Sequence, residues 1–147
     1  ISSGTGLDSA SDIFRRPAVY ANYDSMENLV MWSHSISAPK KLFWEEKNRY
    51  LTLTESVEHS YQHSNLFSKN LIKVVDLDEV EIRDLVMEME LRLSNSWDDS
   101  SRDKELQMQF MKIYIKSDKY TQSHGWLHPK AYIGASYLRD KANSFFN

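Results

Sequence analysis

"ISSGTGLDSASDIFRRPAVYAN", residues 1–22, is the stretch on which the fold turns. Leu7, Ala10, Ile13 and Phe14 recur at offsets 0, 3, 6 and 7, the spacing of one helical face. Asp8 and Asp12 lie toward the front of that helix, and Arg15 and Arg16 lie at its end. The helix dipole favours that order of charge. Pro17 stops the helix, because the residue before a proline is driven out of the helical region. "PAVYAN" is then short, apolar and β-prone, as a buried parallel strand is. Ahead of the helix, "IS" reads as the tail of an earlier strand, and Gly4 and Gly6 follow it. The order of strand end, glycine loop, helix and strand describes one βαβ unit. A chain that opens on a strand end is expected to be a fragment of a longer protein.

Working outward, residues 23–40 are expected to form a long loop anchored by Tyr23, Met26, Leu29, Met31 and Trp32. "KLFWEEKNRYLTL" alternates around Asn48 as a short hairpin would. Thr52 or Thr54 can cap a helix reaching His63, with Leu53, Val57 and Tyr61 on its buried face. "LIKVV", 71–75, reads as a short strand. From Asp78 to Leu93, Ile82, Leu85, Val86, Met89 and Leu93 keep the 3–4 spacing of a helix whose first turn is acidic. A second helix is expected over about 102–116, buried on Leu106, Phe110, Ile113 and Tyr114 and capped by Ser100 or Ser101. A last one is expected over about 130–145, carrying Ile133, Tyr137 and Leu138. Residues 1–76 therefore read as an α/β portion, and residues 77–147 as a mostly helical segment of the same domain. No internal repeat interrupts this order.

With 147 residues, 41% hydrophobic and 12% aromatic, the chain can bury a core of its own. A net charge of −3 argues against a nucleic-acid partner. No cysteine is present, so disulfides and thiolate metal sites are excluded. No apolar run approaches the roughly 20 residues that cross a bilayer, and no secretory leader pattern opens the chain. The expected setting is the cytoplasm, with contact to a membrane at most peripheral.

Two accounts of "SSGTGLD" stand side by side. Glycines let a backbone turn tightly and approach a ligand, and a helix start offers unpaired N–H groups that suit a phosphate. Alternatively, the hydroxyls only cap the helix and the glycines only turn the chain. No Lys follows the glycines, so this is not a Walker loop. Ser9 and the lack of a suitably placed acid exclude the dinucleotide fingerprint.

"GTGL…RRPAVYANY", "APKKLFWEEKNRYLTLTE", "LIKVVDLDEVEIRDLVMEMELRLSNSW" and "IGASYLRD", in that order along nearly the whole chain, resemble a bacterial family of glycosyltransferases of carbohydrate and surface-polysaccharide biosynthesis. That family looks like the GT-B class. The resemblance implies two Rossmann-like domains facing a cleft, with the nucleotide-sugar held mainly by the C-terminal one. This chain would supply the end of that domain. The acceptor site and catalytic base would lie in a preceding domain, and the last helices would cross back toward it. In many GT-B enzymes a proline opens the next strand 13 residues after the loop glycine, as Pro17 follows Gly4. The implied substrates are a nucleotide-diphosphate sugar, with the diphosphate on Ser3, Gly4, Thr5, Gly6 and Leu7, and a glycan acceptor. No cofactor or metal is implied. One departure concerns the ribose: the class often has a Glu six residues after the glycine, where this chain has Ala10.

Further candidates carry simpler alternatives. Asn22, Tyr23 and Asp24 follow the second strand, at the edge where open α/β sheets bind ligands, and are candidates to meet the base or sugar. His34 would be a proton carrier in the same loop, unless that loop is only pinned to the core. Glu55, His59 and His63 share a helix face and could grip a metal, although a plain polar face explains them as well. His124 and His128 are loop histidines within reach of a cleft, or merely solvated. Trp44 and Trp97 are expected to pack, and the runs "EEK" and "RDKE" to face solvent. The rival to an enzyme is a non-catalytic α/β-helical module for binding a protein partner.

Overall fold

A computed structural model describes residues 1–4, 6–23, 26, 29–58, 64–116 and 126–146. It is a mixed α/β fold built on a small parallel sheet. Ser2 pairs in parallel beside Tyr20, donating its N–H to Val19 O (2.8 Å) and accepting from Ala21 N (2.9 Å). That places the chain start along the outer side of β1 (Ala18–Tyr23). The helix α1 (Ser9–Ile13) returns the chain between them. β1 pairs in parallel with β2 (Ser35–Pro39), Ala18 opposite Ser35. β2 in turn pairs in parallel with β6 (Ala131–Ile133), Ser35 opposite Ala131. The βαβ order read from residues 1–22 is therefore the order of the backbone.

A second, antiparallel sheet holds β3 (Lys41–Trp44) between β4 (Arg49–Tyr50) and β5 (Ile72–Val75). The expected hairpin turns at Asn48, whose φ of 49° lies in the left-handed region that Asn tolerates. α2 (Leu53–Glu58) and α3 (Ser64–Lys69) lie between β4 and β5. α4 (Glu79–Leu93), α5 (Ser101–Lys116) and α6 (Ala135–Phe145) complete the chain.

α4 starts where Asp78 closes a capping box. Its carboxylate accepts from the N–H groups of Val80 and Glu81 (both 2.9 Å), and the Glu81 carboxylate accepts from Asp78 N (2.8 Å). Such a cap is worth about 1 kcal/mol. The main core joins Val19 and Ala21 of β1 and Ile36 of β2 to Leu85 and Met89 of α4, Leu106 and Phe110 of α5, and Tyr137 and Leu138 of α6. Each of the Val, Ile, Leu, Met and Phe side chains among them contributes roughly 1.5–3 kcal/mol by leaving water. Ala18 and Tyr20 alternate to the other face of β1 and meet Val30, Trp32 and Tyr23.

Four expectations are corrected. Residues 35–39, read as loop, form the buried strand β2. Its serines can be buried because Ser35 Oγ donates to Val30 O (2.7 Å) and Ser37 Oγ to the same carbonyl (3.4 Å). The last helix starts at Ala135, not near 130, because Ala131–Ile133 extend the sheet first. The apolar face of α1 is not buried: Leu7, Ile13 and Phe14 are 83%, 74% and 72% exposed. Asp8 and Asp12 turn inward instead, one turn apart, because Tyr23 and Trp32 hydrogen-bond to them. Within "RDKE", Asp103 is buried, accepting from Ser100 Oγ (2.8 Å) and from Arg139 Nη1 (2.6 Å).

Candidate functional site

Because Ser2 lies level with Tyr20, the chain from Ser3 onward turns at the carboxyl end of β1. Two glycines make that turn, Gly4 at φ +85° and Gly6 at φ +84°. Any other residue at these angles is strained, since its Cβ crowds the backbone. Gly4 is also a close approach: a Cβ there would lie 3.3 Å from Cζ of Tyr23. At Gly6 the same position opens onto free space. Gly4 N–H is taken by Ser2 Oγ (3.2 Å), whereas the N–H groups of Gly6 and Leu7 have no partner among the described residues.

Tyr23 ties the loop to α1. Its hydroxyl donates to Asp8 Oδ2 (3.1 Å), and its ring stands edge-on to Tyr20 at 5.6 Å. Burial and then the Asp8 hydrogen bond push the Tyr23 pKa far up, so the hydroxyl stays a donor at neutral pH. Tyr20 is pushed up to about 12, by burial first and by the charge of Asp12 second. The charged side chains that meet Tyr23 and line the cavity beside the turn, Asp8 and Glu90, are negative. An anion at this turn would depend on backbone N–H groups rather than on cations. A cavity of about 370 Å³ runs along the sheet edge beside the turn, between Leu7, Asp8 and Ser11 on one side and Val86, Met89 and Glu90 on the other.

The structure thus brings Ser3, Gly4, Gly6, Leu7 and Tyr23 to one end of the sheet. Thr5 and Asp24 lie outside the described residues. Asn22 is engaged in the fold: its Oδ1 accepts from Leu77 N (2.7 Å), joining β1 to the approach of α4. After β1, Met26, Leu29 and Met31 lie in the main core, as their apolar character suggests.

His34 does not join this group. It immediately precedes β2, so it sits at the amino ends of the strands. There it stacks on His128 at 6.1 Å with the ring planes 7° apart. Burial, and then the charges of Lys130, His128 and Arg92, push its pKa down. His124, His59 and His63 lie outside the described residues. Glu55 is occupied by a bidentate pair with Arg49 (2.6 and 2.7 Å) and by the N–H of Thr52 (2.9 Å). That partnership, led by the Arg49 hydrogen bond, holds its pKa down to about 2. Among the described residues no group of three or more His, Asp or Glu could hold a metal.

Sequence reasoning missed a buried network behind the sheet. Glu88, fully buried on α4, accepts from Ala135 N (2.7 Å) at the start of α6 and from Arg92 Nε (3.0 Å). Arg92 also binds Asp99 (2.7 Å) and lies over the rings of Tyr132 (4.1 Å) and Trp97 (5.1 Å). Trp97 Nε1 donates to Asp99 (2.8 Å). The spacing of Glu88 and Arg92, one helical turn apart, was the available signal. The network holds α4, β6 and α6 together, so "EMELRLSNSW" is explained by the fold.

Among the described residues no helix is long and apolar enough to cross a membrane. Comparison of the chain with protein-family models, with curated proteins and with solved structures gave no match.

Proposed function

We propose that this chain is the donor-binding part of a GT-B-like glycosyltransferase, a Rossmann-like unit that holds a nucleotide-diphosphate sugar for transfer to a glycan acceptor in polysaccharide biosynthesis. The observation that carries the reading is the turn of Gly4 and Gly6 at the carboxyl end of a parallel strand pair, with the N–H groups of Gly6 and Leu7 unpartnered among the described residues. Ligands of open α/β sheets bind at that edge. In sugar transfer, negative charge builds on the leaving diphosphate. N–H dipoles held in place lower the barrier without having to reorganise. Ser3 would add a hydroxyl donor, and Tyr23 would keep the loop in shape through Asp8. Ala10 stands where the class often has a ribose-binding acid, and the flanking Asp8 and Asp12 accept from Tyr23 and Trp32, so the base and sugar are left to contacts beyond this loop.

The test is equilibrium binding of UDP, GDP and CMP to the chain and to Gly4→Val. A side chain at Gly4 meets both a forbidden φ and the Tyr23 ring. Loss of about ten-fold or more in affinity supports the reading, being the effect of about 1.4 kcal/mol of misplaced backbone. Unchanged affinity overturns it. The non-catalytic alternative draws on one observation, the exposed apolar side chains of Ile1, Leu7, Ile13 and Phe14, which suit a protein partner. Failure of all three nucleotides to bind would favour it.

A further inference from the structure

A second cavity, of about 430 Å³, opens at the amino ends of the parallel strands, away from the glycine loop. Its size falls within the roughly 300–1,000 Å³ of small-molecule sites. Arg15 and Arg16 form one wall, and neither guanidinium has an ion-pair or hydrogen-bond partner among the described residues. Trp126 forms another wall and is 54% exposed, a large apolar surface left in water. It stands at 90° to the His128 ring, 5.6 Å away, so the two make an angular corner. His128 Nδ1 accepts from Lys130 N (3.0 Å), which leaves the proton of the neutral ring on Nε2 as a donor. The acidic group of the wall, Asp12, is held by Trp32 Nε1 (3.1 Å).

These groups combine two guanidinium ions without a partner among the described residues with an open indole face and a ring N–H donor. Paired arginines match a phosphate dianion, with several charge-assisted hydrogen bonds in a fixed fork. An exposed indole offers a platform for a flat ring. We propose that this cavity is a second ligand site, separate from the glycine loop, for a small phosphorylated ring compound, with a nucleoside monophosphate as the class that engages all of these groups. The phosphate lies on Arg15 and Arg16, the base lies on Trp126, and His128 Nε2–H donates to the ribose or base. The site stands independently of the glycosyltransferase reading.

Calorimetric titration of UMP and AMP into the Gly6→Val chain tests it. That change strains the loop at a position with open space around it, so a nucleotide held by the loop is weakened while the fold is kept. One nucleotide per chain is expected, with affinity equal to that of the unaltered chain. Arg15→Ala/Arg16→Ala and Trp126→Ala should each weaken binding by about ten-fold or more. Uridine and inorganic phosphate should each bind at least about ten-fold more weakly than UMP, since each lacks one half of the contacts. In an amide and indole NMR spectrum of the unaltered chain, UMP should shift the Trp126 indole signal, a readout that needs no variant to fold. No binding of UMP or AMP, or affinity unchanged in both sets of variants, overturns the proposal. So does glucose 1-phosphate binding as tightly as UMP, since the base would then contribute nothing.

Discussion

Gly134→Ala perturbs the junction between sheet and helices at a single methyl group. At φ −52° and ψ 129° alanine is allowed, and by stiffening the unfolded chain it would add about 0.4–1 kcal/mol of stability if space permitted. Space does not permit it. The new Cβ would overlap Cδ2 of Leu85 and come within 3.5 Å of its Cγ, and Leu85 is wholly buried. Overpacking of this kind costs about 1–3 kcal/mol, so a net loss of about 1–2 kcal/mol is expected. The other neighbour, Ile36 Cγ2, lies at an ordinary 3.7 Å. Removing the offending atoms should therefore abolish the penalty. Leu85→Ala alone should cost about 2–5 kcal/mol for the cavity it leaves. Adding Gly134→Ala to it should cost nothing or restore up to about 1 kcal/mol. Urea unfolding of the four proteins completes the cycle, with an expected coupling of about 1–3 kcal/mol. Additivity within about 0.5 kcal/mol would refute the reasoning, because the clash would then not be what makes glycine necessary.

Glu88→Ala should destabilise by about 3–5 kcal/mol in chemical denaturation, since it removes both the acceptor of Ala135 N–H and a charge partner of Arg92. Glu88→Gln keeps the acceptor and should cost clearly less. Asn22→Ala loses the bond from Leu77 N and leaves alanine at φ +60°, for about 2 kcal/mol by the same measurement. Glu55→Gln should cost about 1 kcal/mol at neutral pH, a modest figure because Arg49 is 40% exposed. The pKa of Glu55 is depressed to about 2 in the fold, so its contribution is present above its ordinary value of 4.5 and is lost as pH falls toward 2. Stability against pH should fall more gently over that window in the variant.

What was legible in the sequence was what is local. The glycine loop, α1, β1 and the hairpin each announce themselves within a few residues, and α4 carries its cap and its apolar stripe together. What was illegible depends on partners far along the chain. Ser35 and Ser37 look like loop residues until Val30 O accepts their hydroxyls between β1 and β6. Three residues of β6 make a strand only because β2 lies beside them. Leu7, Ile13 and Phe14 keep a helical spacing, yet the bonds of Asp8 and Asp12 to Tyr23 and Trp32 decide which face turns inward. At the candidate site the turn was readable from Gly4 and Gly6. The grip of Tyr23 on that turn, and the meeting of His34 with His128 at the other end of the sheet, were not.

The glycine loop is tested most directly by amide shifts. A ¹H–¹⁵N spectrum of the chain titrated with UDP, GDP and CMP reports on Gly4, Gly6 and Leu7 one by one. The donor-loop account predicts saturable movement of the Gly6 and Leu7 amides with at least one nucleotide. Saturating nucleotide that leaves Gly4, Gly6 and Leu7 unmoved, whether or not signals elsewhere shift, would contradict it.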